Sequence, residues 1–413
     1  MVAPPSCTER ARFPSVLVTS STFPRWREDA TPRFVRDLAE LATQSWNVTV
    51  LAPHHPGAAL RDTSADERGR GRLDVRRFRY FVPASHQRLC YGGGILPNIR
   101  ASKLALAQVP CLVGAELAAM RRLLRTECFD LVHAHFLVPQ GAVAALATRR
   151  PLVVSVHGSD LFALRGRLID SALRGVISRA KLVTVNGEVA AREARRRFPL
   201  VEPKLRVLPM GVDTTLFRPP SASERRAPAA EPVIAFVGRL TEQKGVHVLL
   251  DALARLRGGA RLVVAGEGPE LGRLRARARD NVHFVGPLAP KAVARLLREA
   301  TLLVVPSLEG PIGVEAQGLV AIEAMASACP IVVSRSGGLG ELVGDSQEEV
   351  GARGIAVAPS DPAALASAIQ RCLDDDDGTR ARAAAAHAFA IARYDRARIG
   401  EKLLAIYDEA RRC

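Results

Sequence analysis

The chain has 413 residues, which favours two domains over one, and 48% of them are hydrophobic, ample for two cores. No run approaches the roughly eighteen consecutive apolar residues of a membrane-spanning helix, and the seven cysteines stand singly without a C-x-x-C pair, which argues against a disulfide framework and a zinc site. The net charge of +16 is unevenly placed: residues 1–212 carry 32 Lys and Arg against 17 Asp and Glu, a net +15, whereas residues 213–413 carry 26 against 25, a net +1.

In chain order, FPSVLV (13–18) reads as a first buried strand and NVTVLA (47–52) as a second. Between them residues 31–41 have helical apolar spacing, with Thr31 as cap and Pro32 in the first turn, so the three form a βαβ unit. Residues 57–72 are polar and read as a loop, and residues 76–82 as a strand. YGGGILPN (91–98) is glycine-rich without a clear helix behind it and reads as a mobile acceptor loop rather than a phosphate loop. An amphipathic helix over 104–125 is interrupted at Pro110. Strands follow at FDLVHAH (129–135), at 152–156 ending in His157-Gly158-Ser159-Asp160, and at 182–185 ending at Asn186. Strand alternating with helix gives a mostly parallel, doubly wound sheet.

The segment SASERRAPAAEP (221–232) has the composition of a hinge. After it the pattern restarts: strands at 233–238, 261–266 and 281–286, each followed by a helical stretch. Asp374–Asp377 ends a helix instead of following a strand, so it reads as a solvated turn, and no metal site is expected.

The richest stretch is PSLEGPIGVEAQGLVAIEAMASACPIVVSRSGG (306–338). It reads as a strand end, a Gly/Pro loop, a helix of about three turns, a second buried strand and a double-glycine turn. Gly318 leaves the helix start at Leu319 open to a phosphate. Glu315, before the regular turns, and Glu323, inside them, can both face the mouth above the strand ends, where open α/β sheets bind ligands. Upstream, GRLTEQKG (238–245) directly follows a strand and puts Arg239 and Lys244 at the same kind of crevice. Two fixed cations and a helix N-terminus suit a leaving diphosphate.

Glu, seven residues, then Glu, followed by EAMA and a Pro-Ile-Val strand, resembles the retaining glycosyltransferases of family 4, with VLPMGVDTTLFRPP (207–220) similar to the family's entry into its linker. The resemblance implies the GT-B fold: an α/β chain of two Rossmann-like domains facing across a cleft. The expected division is 1–212 for the acceptor domain, 213–232 for the linker, 233–395 for the nucleotide-sugar domain and 396–413 for a helix crossing back. It further implies that Arg239 and Lys244 bind the diphosphate, that Gly238, Gly266 and Gly286 line the nucleotide pocket with Gly318 and Leu319, and that Glu323 holds the ribose hydroxyls. Glu315 would hold the transferred sugar and His157 would contact it near the reacting centre, with Asp160 a cap or acceptor ligand. No cofactor is implied beyond a UDP- or GDP-sugar co-substrate. Two departures stand out. The first loop, SSTFPRWREDATP, lacks the family's Gly-Gly pair, and EAQG replaces EGFG.

The stretch from FPRWRED through HAHFLVPQG to HGSDLF is similar to bacterial cell-surface polysaccharide transferases, so transfer to a glycan or lipid-linked acceptor is expected. The N-terminal MVAPPSCTERARFPS has no apolar signal core, so the expectation is a cytoplasmic protein that docks by its basic half on the inner membrane face, through arginines at 68–79 and 192–197. Three other readings compete. A glycoside hydrolase using Glu315 and Glu323 leaves Arg239 and Lys244 without a purpose. A nucleic-acid binder fits the charge but not the 5% aromatic content or the lack of any nucleic-acid motif. A catalytically dead nucleotide-sugar binder does not explain why every expected catalytic position is filled.

Overall fold

The computed structural model describes residues 13–26, 29, 31–64, 71–92, 94–224, 231–310, 314–344 and 350–412. The chain divides into two units, Met1–Leu208 with Gly400–Cys413, and Pro209–Ile399.

The first unit is built on an eight-stranded sheet: β1 Ser15–Thr19, β2 Asn47–Pro53, β3 Arg61–Ser64, β4 Leu73–Phe78, β5 Leu131–His135, β6 Leu152–Val156, β7 Leu182–Val185 and β8 Leu205–Val207, in the order β3-β4-β2-β1-β5-β6-β7-β8. All pairs are parallel except β3 with β4. Strands covered on both faces need apolar residues at nearly every position, and β5 and β6 are buried throughout. The order reverses between β1 and β5, which makes their C-terminal ends the natural ligand mouth. The final helix, Arg396–Arg412, closes this core by burying Leu403 and Tyr407, with Tyr407 edge-on to Trp46 at 5.2 Å.

The second unit carries β9 Val233–Val237, β10 Arg261–Ala265, β11 Val282–Gly286, β12 Leu302–Val305, β13 Ile331–Ser334, β14 Val350–Gly351 and β15 Gly354–Val357, in the order β11-β10-β9-β12-β13-β15-β14. Side-chain alternation sends Ile234, Phe236, Leu302, Val304 and Val332 to a core on one face, and Ala235, Leu303, Val305, Ile331 and Val333 to a core on the other. Here the order reverses between β9 and β12, so the mouth lies where GRLTEQKG and PSLEG begin.

Several sequence expectations change. The polar loop at 57–72 contains the edge strand β3, whose RDTS has no apolar face to betray it. YGGG does lead into a helix, Ile95–Ala101, with Gly94 at its N-cap. The first helix begins at Phe34 without a side-chain cap, because the entering loop is organised by Asp29, which accepts from the Thr31 amide. The helix after Glu315 is short, Leu319–Ala326. The break at Pro110 is present: Lys103–Ala107 and Val109–Thr126 are separate helices. Together they form the one described stretch long and apolar enough to cross a membrane, yet Leu112, Met120 and Leu123 from it lie buried in the first core. Cys90, Cys111, Cys329 and Cys372 are free thiols. Cys128 is disulfide-bonded, which the single spacing of the cysteines does not suggest.

Candidate functional site

In the second unit the site is assembled by backbone approaches that only glycine allows. Gly245 (φ +67°) ends the 3-10 turn Glu242–Lys244, and a Cβ there would stand 2.0 Å from the Pro306 carbonyl oxygen. The loop after β9 is thereby pressed onto the end of β12, where the Leu308 amide donates to the Gln243 carbonyl at 2.7 Å. Gly266 (φ +143°) would bring a Cβ to 1.8 Å from the Gly238 oxygen, and Gly268 (φ +158°) to 2.3 Å from the Leu240 oxygen. The Gly238 amide donates to Ala265 and the Gly266 amide to Gly286, so Gly238, Gly266 and Gly286 step along three neighbouring strand ends.

On this rim sit the charged groups. Lys244 Nζ forms an ion pair with Glu315 Oε2, across 71 residues of sequence. The buried Ser307 hydroxyl also donates to Glu315 Oε2 at 3.3 Å. Arg239 is exposed, and its guanidinium has no hydrogen-bond or ion-pair partner among the described residues. Glu323 lies half-buried within the helix Leu319–Ala326. Gly318 (φ +75°) is the left-handed N-cap of that helix, but its missing side chain has a packing cause: a Cβ would lie 2.4 Å from Leu339 Cδ2. The double-glycine turn is tied to Glu315 as well. Gly338 donates to the Glu315 carbonyl at 2.8 Å, and a Cβ on Gly337 (φ +54°) would stand 2.2 Å from it.

The departure EAQG now has a structural account. Gln317 is buried and clasps the Met210 backbone, accepting from its amide at 2.8 Å and donating to its carbonyl at 2.9 Å. A phenylalanine cannot do this. Gln317 thus fixes the segment that enters the second unit, next to Glu315.

The first unit presents a different kind of site. His157 follows β6, and its Nε2 is 2.9 Å from Nδ1 of His135, the last residue of β5. Phe34 and Phe136 flank its ring with centroids at 4.7 and 4.9 Å. Phe136 holds φ +79°, an outlier for a bulky residue and a mark of local strain. Asp160 is turned inward: it accepts the backbone N–H groups of His157, Leu137 and Val138, which ties the loops after β5 and β6 together. Burial pushes its carboxyl up to about 7 against those bonds.

Below His157 lies buried polarity that the sequence reading passed over. His133 Nδ1 meets the Tyr407 hydroxyl at 2.8 Å, and His133 Nε2 meets Ser155 Oγ at 2.7 Å, which continues to Thr184 Oγ1 at 2.6 Å. Burial lowers both His133 and His157 to about 3, and lowers His135 well below the usual range, so all three rings are neutral near pH 7. Glu116 is fully enclosed at the β1/β5 mouth, accepting from Thr19 Oγ1 at 2.6 Å and Gln140 Nε2 at 3.2 Å, and burial raises it to about 7. The available signal was HAH in an otherwise apolar strand, since ring nitrogens at buried i, i+2 positions demand partners.

The loop lacking the Gly-Gly pair is braced by Arg25, whose amide (2.7 Å) and guanidinium both bind Asp29 while it lies 4.3 Å over the Trp26 ring. The arginines expected to form a docking face are largely engaged. Arg72 and Arg76 pair with Asp74, Arg195 with Glu202, Arg196 with Glu193, and Arg197 is buried against Asp170. Arg77 is buried on carbonyl groups, while Arg68 and Arg70 lie outside the described residues. Asp374–Asp377 forms a junction between two helices, with Asp375 capping the second. No group of three or more His, Cys, Asp or Glu side chains disposed to hold a metal occurs among the described residues.

Two family descriptions match the chain: Glycosyltransferase Family 4 over residues 31–216 and Glycosyl transferases group 1 over residues 231–375. The chain is similar to a D-inositol 3-phosphate glycosyltransferase of Acidothermus cellulolyticus, 34% identical over 319 residues that cover 68% of this chain and 67% of that one. Among solved structures it resembles sucrose-phosphate synthase from Thermosynechococcus elongatus, at 23% identity and a TM-score of 0.75, covering 96% of this chain and 98% of that one. Anabaena HepE, solved with UDP-glucose, is 21% identical with a TM-score of 0.68, over 95% of this chain and 99% of that one.

Proposed function

We propose, for a chain that belongs to the group 1, family 4 glycosyltransferases and has their GT-B fold, a metal-independent, retaining transfer of a sugar from a nucleoside diphosphate to an acceptor hydroxyl. The observation that carries this reading is the Lys244–Glu315 pair, with Arg239, on the same strand-end loop as Lys244, lacking a partner among the described residues. Arg239 and Lys244 take the diphosphate, whose charge grows as the glycosidic bond breaks, and the N-terminus of the helix Leu319–Ala326 adds its dipole. Lys244 has three donors, so it can bind phosphate and still orient Glu315. Glu315, held by Lys244 and Ser307, accepts from hydroxyls of the transferred sugar, and Glu323 accepts from the ribose. His157 meets the sugar near its reacting carbon. The leaving phosphate takes the proton of the acceptor hydroxyl, which attacks from the face it leaves. A carboxylate already engaged by a lysine favours this over a hydrolase that uses Glu315 and Glu323 as acid and nucleophile.

UDP is the first nucleotide to test, because HepE was solved with UDP-glucose. For the acceptor, the net +15 of residues 1–212 supports an anionic or lipid-linked glycan in cell-envelope or exopolysaccharide synthesis, and docking on the inner membrane face. The charge for docking would come from Arg121, Arg125, Arg149 and Arg150, which line a cleft of about 620 Å³ and have no carboxylate partner among the described residues. Binding to anionic vesicles that fades with salt supports this, and equal binding to neutral vesicles at low salt contradicts it.

The test of the reaction is transfer from a panel of UDP- and GDP-sugars, with the anomeric configuration of the product read by NMR and chelator in a parallel arm. Retained configuration and unchanged rate in chelator are expected, whereas inversion or strict metal dependence overturns the reading. Glu323→Ala should weaken the nucleotide by about 1–3 kcal/mol, while Glu315→Gln should lower transfer and leave free-nucleotide binding nearly intact.

A further inference from the structure

Of the buried histidines in the first unit, His133 is saturated: one ring nitrogen meets Tyr407 and the other Ser155. That is how a purely structural buried histidine is expected to look, with each polar atom satisfied. His157 is not saturated. Its Nε2 is taken by His135, but its Nδ1 is buried and has no hydrogen-bond partner among the described residues. The carbon rings of Phe34 and Phe136 wall the imidazole and offer no acceptor or donor. The His135 and His157 rings are within 12° of parallel with centroids at 5.2 Å, and their facing nitrogens are 2.9 Å apart, a distance that requires one proton between them.

We propose that His135 is a positioning residue: the proton shared between its Nδ1 and Nε2 of His157 ties the neutral tautomer of His157 to that of His135 and reserves Nδ1 for the substrate. The inference rests on the reading that His157 meets the transferred sugar. A neutral imidazole has one donor and one acceptor nitrogen, so settling the role of Nε2 settles the role of Nδ1. Without His135, both tautomers become accessible, and only one presents the correct hydrogen-bonding sense to the sugar oxygen. The strained φ of Phe136, the residue after His135, holds its ring against the imidazole and prevents rotation away from this contact. Asp160 restrains the same loop from below through the His157 amide.

The experiment uses the full chain with ¹⁵N-labelled histidine and reads tautomers from long-range proton–nitrogen spectra, assigning His157 by its loss in His157→Ala. His135→Leu keeps bulk and removes the bond, and His135→Asn places an amide near the position of Nδ1. The expected results are a single His157 tautomer in the wild type and mixed tautomers in His135→Leu, with kcat lowered about ten- to a hundredfold at nearly constant donor KM. His135→Asn should restore the single tautomer and bring kcat to within about threefold of wild type. A single, unchanged tautomer in folded His135→Leu overturns the proposal, as does wild-type kcat in that variant. If His135→Leu does not fold, the Asn variant decides: a single tautomer supports the lock and a mixture overturns it. Full turnover in His157→Ala would instead defeat the assignment of His157 to the reaction, while the tautomer readout would still decide the role of His135.

Discussion

The two units share a doubly wound plan and a ligand mouth at the strand-order reversal, yet they furnish those mouths differently. The second uses backbone: Gly245, Gly266, Gly268 and Gly337 allow loops to touch at distances no side chain would permit, and charged groups stand on the rim so formed. The first uses side chains: His133 with Ser155 and Thr184, His135 with His157 and Asp160, and Glu116 with Thr19 and Gln140 form three sets of buried or part-buried hydrogen bonds at its mouth. A glycine rim sets shape, and its charges act where they are exposed. A buried polar network sets protonation and orientation, at the cost of desolvating every member.

The largest effect should come from filling the rim. In Gly266→Ala the new Cβ would meet the Gly238 oxygen at 1.8 Å with φ at +143°, so the second unit should lose roughly 3 kcal/mol or more. Gly286→Ala, with open space around it and only φ +74° to strain, should lose about 1–2 kcal/mol. Calorimetry measures both. The two tryptophans, Trp26 and Trp46, lie in the first unit, so their fluorescence should hold its wild-type transition; equal losses in the two variants would break the contrast.

Next, Arg239→Ala or Lys244→Ala should lower turnover by about a hundredfold, the cost of one charge contact to the developing diphosphate. Steady-state kinetics with the active donor checks this. Turnover within about threefold of wild type in both variants would remove the clamp.

The smallest effect is a pH dependence confined to the first unit. Glu116 titrates at about 7 when folded and near 4.5 when unfolded, because burial disfavours its charge, so the folded chain holds a proton the unfolded chain releases. Its contribution therefore falls as pH rises through that window. His133 and His157, at about 3 against an ordinary 6.5, act in the opposite sense and reduce stability as pH falls below 6.5. Tryptophan-detected urea unfolding should show a maximum near pH 6.5, with Asp160, also raised to about 7, adding to the fall above it, and Glu116→Gln should lessen that fall by about 1 kcal/mol and steepen the rise between pH 4.5 and 6.5. An unchanged slope in that variant would show that Glu116 is not the group responsible.

The same contrast governs what could be read from sequence. The alternation of strands and helices, the restart after residue 232 and the Arg239, Lys244 and Glu315 positions were legible because apolar runs, glycines and charges recur at spacings that backbone geometry dictates. The Lys244–Glu315 ion pair itself was not legible. Illegible were contacts between distant side chains. The Tyr407–His133 bond spans 274 residues, and the Gln317 clasp of Met210 spans 107. Local pattern also failed where polarity mimicked a loop, as in β3, and where a glycine had two readings, as at Gly318, whose cause is Leu339.

On the proposed mechanism the second unit binds the nucleotide, and His157 acts only in transfer. The most direct measurement is calorimetric titration of UDP and GDP into wild type, Arg239→Ala and His157→Ala, paired with turnover. Arg239→Ala is expected to weaken nucleotide binding about tenfold or more, whereas His157→Ala should bind it as wild type does and still lose turnover. Unchanged affinity in Arg239→Ala, or affinity lost in His157→Ala with Arg239→Ala intact, would contradict it.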